Sequence, residues 1–207
     1  MNEAPPIVYV VDDDQSVRTS TERLVRSMGF TVRSFATAHE FLAAPRPSGP
    51  ACLVLDVRMP GLNGLDLQSE LSRAGVQIPI IFMTGHGSIP MTVRAMKAGA
   101  VEFLTKPAKA RDLLAAIGAA IERDRAAHAA RHGADQLQQR YARLTPRERE
   151  IFAHIAAGRL NKQIAAELAT SERTIKFHRA HIMEKMEADS LAELVRMAAQ
   201  LGVAPQA

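Results

Sequence analysis

Ile7-Val8-Tyr9-Val10-Val11 runs straight into Asp12-Asp13. Five consecutive β-branched or aromatic residues predict a strand covered on both faces, and the two acids mark the end from which the chain leaves it. The pattern recurs along the chain. Cys52 to Leu55 ends on Asp56, Ile78 to Met83 ends on Thr84, and Val101 to Leu104 comes just before Lys106. A fainter run spans Phe30 to Phe35.

Stretches with helical spacing separate these runs, such as Val17, Leu24, Val25 and Met28, then Leu65, Leu67 and Leu71. Strand and helix alternating five times predict an α/β domain with a doubly wound five-stranded parallel sheet, because parallel neighbours need a helical crossover. Ligands of such sheets bind outside the carboxyl ends of the strands. Asp12, Asp13, Asp56, Thr84 and Lys106 should therefore converge on one edge.

The 207 residues leave room for this domain and a smaller one. No apolar run approaches a membrane span and the N-terminus lacks a signal-peptide pattern, so a cytoplasmic protein without membrane contact is expected. Cys52 has no partner for a disulfide, and its place in a strand predicts a core position. Through Pro107, ten basic residues balance ten acidic ones; from Ala108 onward sixteen face twelve. The excess of positive charge lies in the second half, which points to a polyanionic partner there.

Pro45 to Pro50 is predicted as a loop. Ala108 to Arg140, rich in Ala, Arg and Gln, should form a helix longer than the first domain needs. Its early turns, with Leu113, Leu114, Ile117 and Ile121, should dock on the sheet, and the remainder should act as a linker. The expected division is residues 1–120, a linker helix over 121–141, and a second domain over 142–207.

Three carboxylates in one crevice repel one another unless a hard cation neutralises them. Mg²⁺ fits, because it takes oxygen ligands and is usually shared between carboxylates and phosphate oxygens. Asp56 is then the expected nucleophile toward phosphorus. Lys106 would pair with one phosphoryl oxygen and Thr84 would donate to another. Taken singly each residue has an ordinary explanation, such as a helix cap after a strand or a Lys-Pro turn; it is their joint placement that is specific.

In the second half, Thr145, Pro146 and Glu148 form a capping-box pattern for a helix ending near Ala157, before Gly158. A short helix over Asn161 to Leu168, a turn at Ala169-Thr170, and a basic helix from Ser171 predict a helix-turn-helix. A further helix over Ser190 to Leu201 completes an all-α four-helix domain. On the third helix Ile175, Ile182 and Met186 share the inner face, while Arg173, Lys176, Phe177 and Ala180 lie across from it. An outward Phe between cations suits the major groove, where Arg and Lys reach guanine edges or phosphates and Phe meets a thymine methyl. The plainer alternative is a solvated basic face. His178 and His181 lack partners at zinc spacing.

Val10-Val11-Asp12-Asp13-Asp14, Leu55-Asp56-Val57-Arg58-Met59-Pro60-Gly61, Met83-Thr84-Gly85 and Thr105-Lys106-Pro107 resemble the flavodoxin-like receiver domain of two-component response regulators. Leu144 to Leu201 resembles the LuxR-type helix-turn-helix, and the whole chain is similar to the FixJ-like branch. The resemblance implies that Asp56 is the phospho-acceptor and that Asp13, Asp56 and the Arg58 backbone carbonyl bind Mg²⁺, with Asp12 assisting. It implies Phe103 as the aromatic switch, where relatives more often carry Tyr, and a Lys106-Pro107 bond that is often cis. Lys162, Arg173, Thr174, Lys176 and Phe177 are the implied DNA contacts; Ala180 stands where some relatives have Lys. The implied partners are a sensor histidine kinase, double-stranded promoter DNA and RNA polymerase, with homodimerisation on phosphorylation and, usually, activation of transcription.

Two other functions fit parts of the pattern. A haloacid-dehalogenase-type phosphatase also uses an Asp nucleophile with Mg²⁺ but resembles this chain less, since its second Asp is replaced by Arg58. An interaction module could instead direct its helix-turn-helix to protein or RNA.

Overall fold

The computed structural model describes residues 5–45 and 49–203. Arg46, Pro47 and Ser48 of the expected loop, and residues 204–207 of the second domain, lie outside them. The chain divides into two compact units, residues 1–128 and 129–207.

In the first unit the strands are β1 (Ile7–Val11), β2 (Thr31–Phe35), β3 (Ala51–Leu55), β4 (Ile80–Thr84) and β5 (Glu102–Thr105). All pairings are parallel, in the order β2-β1-β3-β4-β5. The helices between them are α1 (Gln15–Ser27), α2 (Ala38–Ala43), α3 (Gly64–Arg73) and α4 (Ile89–Lys97), and α5 (Ala110–Ala142) follows β5. Alternate strand residues feed two cores. Tyr9, Val11, Leu53, Leu55 and Phe82 pack with Phe41, Leu67 and Leu71 on one face, and Val8, Val10, Cys52, Val54 and Ile81 pack with Val25, Ile117 and Ile121 on the other. β3 and β4 are buried at every position, which is why they read as unbroken apolar runs. Burial and, secondarily, the charge of Asp124 push the Cys52 thiol up to about 12, so it stays protonated and inert. The strand order reverses between β1 and β3, which opens the crevice beyond their carboxyl ends.

Several boundaries shift from expectation. β4 starts at Ile80, not Ile78, although the Pro79 carbonyl still accepts from the Leu53 amide at 2.9 Å. In α5, Leu113, Ile117 and Ile121 are buried and Leu114 is half-buried. The buried Asp124 accepts the first β3 amide, that of Ala51, at 2.7 Å. Farther along α5, Leu137 and Tyr141 belong to the core of the second unit, so the late turns are not the bare linker that their composition suggested.

The second unit continues with α6 (Pro146–Ala156), α7 (Asn161–Glu167), α8 (Glu172–Met186) and α9 (Leu191–Gln200). The expected capping box is present at Thr145 and Glu148. Ala169 takes the left-handed φ of 48° between α7 and α8, and the Thr170 amide closes the turn on the Ala165 carbonyl at 2.9 Å. Ile175, Ile182 and Met186 are fully buried; truncating one to Ala would cost about 2–5 kcal/mol.

Glu148 does more than cap α6. It is buried, and both its oxygens receive Lys185 Nζ of α8, at 2.9 and 2.7 Å. Burial alone would raise its pKa, but the Lys185 and Thr145 bonds outweigh it and hold the carboxyl below its ordinary 4.5. A carboxyl whose pKa is lower folded than unfolded stabilises the fold above the unfolded value and loses that contribution as pH falls through the folded one. Acid titration followed by helical circular dichroism should therefore show the second unit weakening below pH 4.5, and Glu148→Gln should flatten that limb. An unchanged acid limb in the variant would remove Glu148 from the account.

Candidate functional site

The strand ends bring Asp12, Asp13 and Asp56 together, with one carboxylate oxygen from each within 4.8 Å of the others. Asp12 and Asp56 are buried; Asp13 is exposed. Asp14 caps α1, accepting from the Ser16 and Val17 amides, and its bonds with Ser16 hold its pKa low. Arg18, which sequence reasoning did not single out, donates from Nη1 to the carbonyls of Asp12 and Asp13 at 2.7 and 2.9 Å and so shapes the loop that carries both acids.

Lys106 reaches across from the end of β5. Its Nζ lies 2.6 Å from Asp12 Oδ2 and 2.8 Å from Asp56 Oδ2. The other Asp56 oxygen accepts the Arg58 amide at 3.1 Å. Burial raises the Asp12 pKa despite the nearby ammonium. For Lys106 burial works the other way, but the two carboxylates outweigh it and the pKa rises, so the proton stays on nitrogen. One ammonium against three carboxylates leaves an excess of two negative charges. This all-oxygen donor set, only partly compensated by Lys106, fits a hard divalent cation.

Thr84 is fully buried, and its hydroxyl accepts a long 3.4 Å bond from the His86 amide. Phe103 is half-buried, with its ring centroid 5.9 Å from that of Phe82. It occupies a notch left by Gly87, where a Cβ would stand 3.0 Å from its Cε1. The Lys106-Pro107 bond is cis.

Two further residues position the site without having been legible as functional. Gly64 opens α3 directly against the Asp56 carbonyl. Gln68, buried on α3, donates from Nε2 to the carbonyls of Ala95 and Ala98 at 3.2 Å each and anchors the C-terminal end of α4. The only available signal was a polar residue within an apolar helical stripe.

In the second unit, Lys162, Arg173 and Lys176 are exposed, as is Phe177 at 59%. The Phe177 ring lies edge-on to His181, centroids 4.1 Å apart, which restrains it. The Thr174 hydroxyl meets that of the N-cap Ser171 at 2.8 Å. Arg179 bonds Asn161 Oδ1 at 3.0 Å.

Compared with known families, residues 8–118 match the response regulator receiver domain and residues 142–198 match the bacterial regulatory proteins of the luxR family. The chain belongs to the two-component response regulators. Nodulation protein W of Bradyrhizobium diazoefficiens is 52% identical to this response regulator over 95% of the chain and 87% of its own length. Transcriptional regulatory protein FixJ of the same organism is 44% identical over 95% and 96%. Among solved structures, response regulator StyR aligns with a TM-score of 0.89 at 48% identity, covering 95% of this chain and all of that one. Full-length FixJ from B. japonicum aligns at 0.58 with 43% identity over 97% and 98%. The response regulator is thus a transcription regulator with a DNA-binding output and not a turnover enzyme. Its receiver carries the acidic pocket at which such domains bind Mg²⁺. Among the described residues no helix is long and apolar enough to cross a membrane.

Proposed function

We propose that Asp56 takes a phosphoryl group from a partner sensor histidine kinase and that the modified protein dimerises and binds promoter DNA. In this reading residues 1–120 receive the phosphoryl, the helix over 121–141 joins the domains with its last turns packed in the second core, and 142–207 bind DNA. Lys106 carries the proposal, because it bridges Asp12 and Asp56 where a phosphoryl oxygen can replace a carboxylate oxygen. An oxygen of Asp56 forms the new bond to phosphorus as the donor's bond to it breaks. Asp12, Asp13, Asp56 and the Arg58 carbonyl would hold Mg²⁺, which supplies charge neutralisation at the incoming phosphoryl.

The phosphoryl adds about 1.5 to 2 negative charges and strong acceptors. Lys106 turns to it, and Thr84 leaves its weak bond to donate there. Movement of Thr84 changes the space beside Phe103 and Gly87, and the change passes to α4. That helix exposes Ile89, Val93 and Met96 at one-face spacing, an apolar stripe suited to a second copy. To invert a 1:99 equilibrium the phosphoryl must favour the active state about 10⁴-fold.

DNA contact falls to Lys162, Arg173, Thr174, Lys176 and Phe177, with RNA polymerase as the downstream partner, activation as the outcome and the cytoplasm as the location. Gel shifts on duplex DNA, with and without acetyl phosphate and Mg²⁺, test the scheme; binding indifferent to both reagents would overturn it. Lys176→Ala should weaken binding about 5- to 150-fold without lowering receiver phosphorylation. Unaltered affinity would remove α8 as the reader.

A further inference from the structure

Arg179 falls at the inward spacing of α8. It lies four residues after Ile175 and three before Ile182, both fully buried, and is itself half-buried. Other half-buried cations of this unit have carboxylates: Lys185 meets Glu148, Arg140 meets Glu187 and Arg147 meets Glu150. Arg179 meets only the neutral Asn161, and among the described residues it has no ion pair.

A guanidinium offers five N–H donors in one plane. The bond to Asn161 uses one and fixes the orientation of that plane, leaving the rest of the fork without a protein acceptor among the described residues. A charge held partly out of water without a counter-ion gains from the arrival of an anion. Arg179 lines a surface cleft of about 530 Å³ together with Arg159, Asn161, Lys162 and Glu172. Glu167 already neutralises Arg159 at 3.2 Å, which leaves Lys162 and Arg179 against the single exposed Glu172.

We infer that Arg179 and Lys162 together hold one backbone phosphate of bound DNA, with the Arg179 fork making a bidentate contact and Asn161 setting its plane. Arg179 would then tie backbone contact to the spacing of α7 and α8 while carrying no sequence information. This inference rests on the second unit binding duplex DNA.

The test uses the full-length phosphorylated protein and a duplex selected from random DNA, with affinity measured across a range of salt concentrations. Arg179→Gln should bind about tenfold or more weakly at low salt, with unchanged base preference and a salt slope smaller by about one phosphate. A single neutral methylphosphonate, moved along the backbone, should weaken the wild type at one position where the variant is indifferent. If circular dichroism shows Arg179→Gln to be unfolded, Arg179→Lys serves instead, and its methylphosphonate penalty at that position should shrink. A folded variant with the wild-type slope and the wild-type methylphosphonate profile overturns the phosphate contact, even if affinity falls. Failure of the wild type to bind any duplex would overturn the DNA-binding assignment as well, a result distinct from the first.

Discussion

Asp56→Asn is expected to reduce acid-labile phosphate incorporation from acetyl phosphate to background while the receiver stays folded. The amide oxygen can still accept from the Arg58 amide, which holds Asp56 Oδ1 at 3.1 Å in the native site, so the loop after β3 keeps this anchor. The neutral amide cannot attack phosphorus as the carboxylate does. The substitution relieves part of the repulsion among three acids gathered within 4.8 Å but weakens the 2.8 Å contact from Lys106, which keeps Asp12 as a partner at 2.6 Å. These effects oppose each other, and stability should remain within about 1 kcal/mol of the wild type. Thermal melts and labelling on the same samples check both halves. Labelling at the wild-type level would move the phospho-acceptor elsewhere, and with it the explanation of why Lys106 sits where it does. Stimulation of DNA binding by acetyl phosphate should disappear in the same variant.

The placement of Asp56 was legible because parallel strands covered on both faces leave an unmistakable trace: β1, β3 and β4 as far as Met83 are apolar, and polarity begins where those runs end. The capping box at Thr145 and the inner stripe of Ile175, Ile182 and Met186 were legible for the same reason, since each is a local pattern on one element. What escaped depends on distances between elements. Asp124 looked like one more charge on a long polar helix, yet it accepts an amide 73 positions away. Gln68 is a polar residue inside the apolar stripe of α3, and nothing local says that it holds the end of α4. Leu137 and Tyr141 are a single pair four residues apart, too short a repeat to announce a second core. Arg179 fell at an inward spacing that periodicity could locate but not explain.

Gly64 is the strongest case of a role hidden from local reading, and Gly64→Ala is the second variant with a large expected effect. By helix propensity alone Ala should be better than Gly at the start of α3, by up to about 1 kcal/mol. The packing opposes this. A Cβ at Gly64 would stand 2.2 Å from the Asp56 carbonyl oxygen and 3.1 Å from both the Asp56 carbonyl carbon and the Val57 Cα. All three are backbone atoms that no rotamer change can move. The Gly64 amide also donates to the Val57 carbonyl at 3.0 Å, and Asn63 caps the helix through the Asp66 amide, so α3 is held from both sides of the clash. Relief requires a shift of roughly 1 Å between α3 and the end of β3, at an overpacking cost of about 1–3 kcal/mol that exceeds the gain in propensity. The receiver should melt roughly 4–12 °C lower. Phosphorylation should slow by up to about 10²-fold, because the displaced backbone carries Asp56 and Arg58, and a misplacement of this size is enough to spoil alignment for transfer. Gly61→Ala is the control: its φ of +75° brings local strain, but a Cβ there meets nothing within 4 Å. A receiver carrying Gly64→Ala that melts at or above the wild-type temperature and is phosphorylated at the wild-type rate would show that α3 yields freely, and the close approach would lose its role in positioning the acceptor.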